Sequence, residues 1–221
     1  MILPVVRVPL QPQGASLAAE RGLARPAKGC RLQEASAARY RKTMGQARRG
    51  LLVVFTGEGK GKTSAALGTA LRAVGHGCKV LMIQFVKASL RTGEVKAAGL
   101  LGDTLEIRPM GRGFLRTDRG KPAERHLRAA RQAWQTALEE MRSGRYDMII
   151  LDEINYAIHY GLLTIEEVLE GLASRPRRLH VICTGRYAHA RLVEMADMVS
   201  EIQEIKHPFE RGVPAQPGIE Y

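Results

Sequence analysis

Val53-Val54-Phe55-Thr56-Gly57-Glu58-Gly59-Lys60-Gly61-Lys62-Thr63 is an apolar run, then a turn with glycine at every second position, then the start of a helix-forming stretch that continues into Ala65-Ala66-Leu67. Strand, glycine turn and helix in this order make a loop that cradles the phosphates of a nucleoside triphosphate. The glycines let the backbone curl so that N–H groups converge on one anion, and the helix adds its positive N-terminal end. Lys62 supplies a point charge for the outer phosphates, and the Thr63 hydroxyl is a ligand for Mg²⁺, with Mn²⁺ as the alternative ion. The expected nucleotide contacts are Gly57, Glu58, Gly59, Lys60, Gly61, Lys62, Thr63 and Ser64. The strict pattern G-x-x-x-x-G-K-[ST] asks for glycine at position 56, where this chain has Thr56.

Outward from the loop, strand and helix signals alternate. Strands are expected over Leu51–Phe55, Lys79–Phe85, Thr104–Arg108, Asp147–Leu151, Leu179–Thr184 and Met198–Ile205. Helices are expected over Lys62–Val74, Ala123–Arg142, Ile165–Leu172 and Ala188–Ala196, the second with Leu127, Trp134, Leu138 and Met141 along one face. The alternation implies an α/β fold: a P-loop (RecA-like), doubly wound, mostly parallel sheet of about six strands with helices on both faces. Ligands in such sheets bind beyond the carboxyl ends of the strands, where the loop sits.

Met148-Ile149-Ile150-Leu151-Asp152-Glu153 is an apolar strand ending in two carboxylates. In a nucleotide-loop protein this is the expected place for the Mg²⁺ partners, with Glu153 favoured for the ion and Asp152 behind it. The plainer reading is a helix start, with Asp152 as cap. Arg186, in Thr184-Gly185-Arg186 after a strand, either reaches the phosphates or faces solvent.

The net charge is +12, but ten Lys/Arg against two Asp/Glu fall within residues 1–50, so a basic patch on the folded body is not implied and no nucleic-acid partner is expected. Residues 1–36 read as a disordered basic leader, or as the product of an upstream start codon. Residues 37–50 read as a basic helix, and 51–221 as a single nucleotide-binding domain with a C-terminal tail. No apolar run approaches the ~18 residues that span a bilayer. Cys30, Cys78 and Cys183 form no metal pattern and read as reduced thiols of a cytoplasmic protein. The six histidines show no ligand spacing.

The loop with Ala73-Val74-Gly75-His76-Gly77 resembles the P-loop type of ATP:corrinoid adenosyltransferase. The likeness continues through Gln84-Phe85-Val86-Lys87, Thr92-Gly93-Glu94, Gly113-Phe114, Leu151-Asp152-Glu153-Ile154-Asn155-Tyr156 and Thr184-Gly185-Arg186. It ends on Lys206-His207-Pro208-Phe209 and Gly218-Ile219-Glu220-Tyr221, covering about residues 50–221. The resemblance implies transfer of the 5′-deoxyadenosyl group of ATP to the cobalt of a reduced corrinoid, cobalamin or a precursor, with release of tripolyphosphate. It gives Lys62 a catalytic role on the leaving group and Phe114 one in displacing cobalt's lower ligand. It adds Arg186, Lys206 and His207 to the substrate contacts, and implies a cytoplasmic homodimer served by an electron-donating flavoprotein. The chain departs from the family at Leu115-Arg116, where Thr-Trp is usual, and at Ala88 and Leu90. Two other readings share the loop: a RecA-like ATPase or kinase, and a non-catalytic nucleotide- or nucleic-acid-binding module.

Overall fold

The computed structural model describes residues 49–88, 92–113, 117–118 and 121–219. The leader, most of the expected basic helix, Leu90, Phe114, Leu115, Arg116, Glu220 and Tyr221 lie outside the described residues.

The five-residue strand β1 (Leu52–Thr56) is buried on both faces, as expected of an apolar run inside a parallel sheet. It runs into the glycine loop and helix α1 (Lys62–Gly75). Then follow β2 (Val80–Gln84), α2 (Gly93–Leu100), β3 (Leu105–Pro109), a two-residue hairpin β4 (Thr117–Asp118) and β5 (Lys121–Pro122), and α3 (Glu124–Ser143). The chain continues through β6 (Met148–Asp152), α4 (Ile154–His159), α5 (Ile165–Ala173), β7 (His180–Thr184), α6 (Ala190–Met195) and β8 (Met198–Glu201). The six long strands form one sheet in the order β3-β2-β6-β7-β1-β8, every pairing parallel. The loop strand β1 and the carboxylate strand β6 are therefore not neighbours; β7 lies between them.

Side chains alternate across the sheet and build two cores. Leu52, Val54, Leu81, Ile83, Ile149 and Leu151 face the layer of α3, α4, α5 and α6, where Trp134, Met141 and Leu172 close the packing. Val53, Phe55, Met82, Ile150 and Ile182 face α1 and α2 through Ala66, Ala70 and Ala98. The doubly wound architecture expected from the alternation is present.

Three departures from the sequence reading have physical causes. The sixth strand ends at Glu201, not Ile205, because its neighbour β1 turns into the loop after Thr56 and the regular ladder stops there. Helices α2 and α4, of eight and six residues, are too short for their periodicity to register, and α2 carries a glycine in its first and its last turn, with Leu100 largely exposed. Arg49 and Gly50 are not helical: Arg49 pairs with Asp197 at 2.7 Å, and the Gly50 N–H donates to Arg177 O. Cys78 and Cys183 are buried and form no disulfide among the described residues, and burial pushes the Cys183 thiol up to about 12. Among the described residues no helix is long and apolar enough to cross a membrane.

Candidate nucleotide site at the carboxyl end of the sheet

The glycine loop leaves β1 at the carboxyl edge and is shaped by a crossing segment. Just past β8, the Ile202 N–H donates to Thr56 O at 2.8 Å, and Ile202 O accepts from the Gly59 N–H at 2.7 Å. A Cβ on Gly57 would stand 2.4 Å from Ile202 O, and one on Gly59 2.5 Å from the Gln203 backbone. These two glycines therefore admit the crossing chain, and the Gly59 N–H is spent on it. Gly57 and Gly61 also hold φ of 96° and 124°, conformations costly for any other residue. Thr56, at the position where the strict pattern wants glycine, is an ordinary strand residue whose hydroxyl accepts from the Ala188 N–H.

Lys62 is buried at the start of α1, and its ammonium donates to Gly57 O at 2.7 Å and Gly59 O at 2.6 Å. Burial lowers its pKa, against the opposing pull of Glu153, Glu58 and Glu204. One residue on, the Thr63 hydroxyl donates to Asp152 Oδ1 at 2.8 Å, across β7. Thr184, ending β7, donates to the same oxygen at 2.8 Å and accepts from the Glu153 N–H. Gln84, ending β2, donates to Asp152 Oδ2 at 3.2 Å. Asp152 is thus wholly buried with both oxygens engaged, and it does not cap α4.

Glu153 occupies the N-cap position of α4 at φ 64° but makes no side-chain cap bond. Its carboxylate lies beside Gly185, and burial, together with Asp152 next to it, raises its pKa. Arg186 reaches back to the loop: its guanidinium donates to Glu58 O at 3.0 Å and pairs with the Glu58 carboxylate at 3.3 Å. Lys60, Gly61 and Ser64 lie on the loop and the first turn of α1, as their sequence positions require. Lys206 and His207 sit beyond the Ile202 crossing. Among the described residues no hydrogen bond or ion pair joins them to the loop, and His207 instead caps the short turn Pro208–Arg211.

The sequence reading gave no role to an extension of this site. Gln84 also donates to Glu94 at 3.4 Å, and Glu94 pairs with Lys87. Burial raises the Glu94 carboxyl, but hydrogen bonds from Lys87 and from backbone N–H, together with the Lys87 charge and the Thr92 hydroxyl, hold it below the usual range. Gln84 is wholly buried, and its Oε1 has no hydrogen-bond partner among the described residues. The signal was available: an amide closing the apolar run Val80–Ile83 has no packing reason to be there.

A Mg²⁺ ion fits these donors. Thr63, Asp152 and Glu153 offer hard oxygens, and no group of three or more acidic, histidine or cysteine side chains among the described residues could hold a metal unaided. Such an ion needs phosphate oxygens and water to complete its shell, as Mg²⁺ bound with a nucleotide has.

Comparison with known proteins identifies the family. Residues 48–221 match the family model described as ATP:corrinoid adenosyltransferase BtuR/CobO/CobP. The chain is 43% identical over 181 residues to a corrinoid adenosyltransferase of Escherichia coli K12, covering 82% of this chain and 90% of that one. It is 41% identical over 181 residues to corrinoid adenosyltransferase CobA of Salmonella typhimurium, with the same coverage. A Pseudomonas aeruginosa corrinoid adenosyltransferase is 38% identical over 173 residues, 78% of this chain and 84% of that one. The flagellar accessory protein FlaH of Methanocaldococcus jannaschii aligns at 14% identity with a TM-score of 0.46 over 74% of this chain and 76% of that one, too distant a likeness to carry an argument. With matches spanning nearly four-fifths of its length, the chain belongs to the ATP:corrinoid adenosyltransferase family.

Proposed function

We propose that this chain transfers the 5′-deoxyadenosyl group of ATP to the cobalt(I) of a reduced corrinoid, cobalamin or a precursor, and releases tripolyphosphate. The observation that carries the reading is the meeting of Lys62, Thr63 and the Asp152–Glu153 pair at one end of the sheet in a chain of this family.

The electron pair of cobalt(I) forms the bond to C5′, the C5′–O bond breaks, and its pair leaves on the triphosphate. The corrinoid is itself the nucleophile, so the protein needs none. Neither described cysteine is suited to be one: both are buried, and burial holds the Cys183 thiol far above neutrality. What the protein must supply is charge stabilisation of the leaving triphosphate. Lys62 is already desolvated and held inside the loop, so its charge acts at close range. Arg186, anchored on Glu58, is the second cation beside the loop.

Bound Mg²⁺ would neutralise phosphate charge and orient the chain of phosphates. Thr63 and Glu153 are its proposed protein contacts. The Glu153 carboxylate accepts no hydrogen bond among the described residues, whereas Asp152 is saturated and serves to aim the Thr63 hydroxyl. Phe114, outside the described residues, keeps the proposed role at cobalt's lower face. A cytoplasmic homodimer drawing electrons from a flavoprotein completes the reading.

Incubation with ATP, Mg²⁺ and chemically reduced cobalamin tests it. The visible spectrum should report a cobalt–carbon bond while tripolyphosphate accumulates in equal amount. ADP or orthophosphate without the spectral change would make the chain a hydrolase or kinase instead.

A further inference from the structure

Beside the carboxyl end of the sheet, a cleft of about 720 Å³ is lined by Arg112, Arg125, Arg128, Ala129 and Gln132. That volume lies within the usual range of ligand pockets. Its place is fixed by backbone bonds. Met110 N–H donates to Gln84 O, Gly111 N–H to Lys87 O and Gly113 N–H to Val86 O, so Arg112 is strapped to the carboxyl end of β2. A side chain at Gly111 would strike Val86 O at 2.1 Å, so the strap is in close contact. β2 pairs with β6, which ends in Asp152. The cleft thus opens at the same end of the sheet as the nucleotide loop. Gly113, next to Arg112, leads directly into Phe114.

Arg125 and Arg128 come from the first turns of α3 and face the same cleft. The polar lining is three guanidinium groups and one amide. Arg112 forms no ion pair among the described residues. The Arg125 Nε lies 3.5 Å from His126 Nε2. Arg128 lies 3.7 Å from the Glu124 carboxylate, an exposed pair of the kind that contributes little. Three guanidinium groups converging with one weakly engaged carboxylate match a carboxylate or phosphate oxygen group, which arginine binds in a bidentate fork.

We propose that the Arg112–Arg125–Arg128 cleft is a specificity subsite for an anionic oxygen group on the periphery of the corrinoid. The group is either a side-chain carboxylate of an incompletely amidated corrinoid or the phosphodiester of one that carries its nucleotide. The proposal rests on the adenosyl-transfer reading for the identity of the substrate.

The test uses the full chain and the double variant Arg112→Ala/Arg125→Ala, both positions being exposed and outside the core. Three probes are compared: cobyrinic acid a,c-diamide, which bears carboxylates; cobalamin, which bears the phosphodiester; and cobinamide, which bears neither. Each is measured by equilibrium dialysis and by its KM at saturating ATP. The variant should bind at least one anionic probe about tenfold more weakly, since a charge-assisted fork is lost. Its binding of cobinamide and its KM for ATP should stay within about twofold, as is usual for surface charge changes away from a ligand. Loss confined to the diamide assigns the cleft to carboxylates, loss confined to cobalamin assigns it to the phosphodiester, and loss on both makes it a general anion subsite. Equal weakening on all three probes, or no weakening on any, overturns the proposal. Dialysis needs no turnover, so a failed adenosyl-transfer reading would show separately, as a native chain that binds corrinoid but makes no cobalt–carbon product.

Discussion

Two clusters in this molecule use the same ingredients to opposite ends. One joins β3 to α3 and the residues after it. Arg108 donates to Glu106 at 2.6 Å and to Glu140 at 2.7 Å, Arg145 also pairs with Glu140, and Tyr146 donates to Glu106. The other is the nucleotide loop, with Lys62, Glu153, Asp152 and Gln84. In the first cluster each shifted group is held in the state its partners want. The Arg108 hydrogen bond lowers Glu106. Burial alone would raise Glu140, but Arg108 and Arg145 lower it. Arg108 is raised by Glu106, and burial with Glu106 pushes Tyr146 up to about 12. In the second, burial wins: Lys62 falls and Glu153 rises, each away from its charged form, while Gln84 Oε1 goes unpartnered. A network that meets all its own needs is built for stability. A network whose charges are uncomfortable at home is built for a ligand that supplies the missing charge.

The largest expected effect separates the two. Lys62→Ala should cost about 10²–10³ in turnover, as loss of one preorganised donor to a developing charge does. It should change unfolding free energy by no more than about 1 kcal/mol, because the lost hydrogen bonds are offset by relief of a desolvated charge. Thermal melts and steady-state rates on the same preparation check both halves. A large stability loss would place Lys62 in the structural class.

Glu140→Ala should do the reverse. It takes the buried carboxylate from Arg108, which is a quarter exposed and keeps Glu106, so the loss should be about 1.5–3 kcal/mol, the worth of a hydrogen bond to a charged group. Turnover per folded molecule should be unchanged. The carboxylate's folded pKa is depressed, so its stabilisation is present above the ordinary carboxylate range and is lost as pH falls through the folded value. Urea melts should therefore show native and Glu140→Gln chains converging in acid and diverging towards neutrality.

Gln84→Met should sharpen the contrast at the edge of the nucleotide cluster. Stability should move by less than about 1 kcal/mol, since two long hydrogen bonds go but an orphaned buried oxygen goes with them. The Mg²⁺ concentration for half-maximal rate should rise, because Asp152 loses its third donor and aims Thr63 less well. An unchanged metal titration would remove Gln84 from the site.

The last effect is Tyr146→Phe, a loss of about 0.5–1.5 kcal/mol for each of two hydrogen bonds, the one donated to Glu106 and the one accepted from Arg108. The neutral phenol is the favoured state, so this increment is whole below about pH 10 and vanishes as pH rises through about 12. Denaturant midpoints at pH 8 and above pH 11 check it.

The legibility of these clusters in the sequence follows from how local their signals are. Strand, glycines, Lys62 and Thr63 are contiguous, so the loop could be read directly, as could Asp152 at the end of an apolar strand. The sheet order was not readable, and with it went the bonds that depend on it: Thr63 to Asp152 across β7, and Gln84 to Asp152 along the β2–β6 pairing. The Ile202 crossing was hidden because Gly57 and Gly59 read as phosphate-cradling glycines, whereas both also admit a backbone from 145 residues downstream. Glu106, Arg108, Glu140 and Tyr146 carry no motif at all. A charge on an exposed edge strand and a charge on a helix look alike until the helix is laid against the strand.

The most direct test of the account is the fate of the oxygen between C5′ and the α-phosphorus. ATP labelled with ¹⁸O at that bridging position is supplied with Mg²⁺ and reduced cobalamin, and the products are separated for mass spectrometry. Attack at C5′ sends the label out with tripolyphosphate, the result predicted here. Label retained on adenosine, AMP or ADP would mean that the loop directs attack to phosphorus, and would contradict adenosyl transfer at this site.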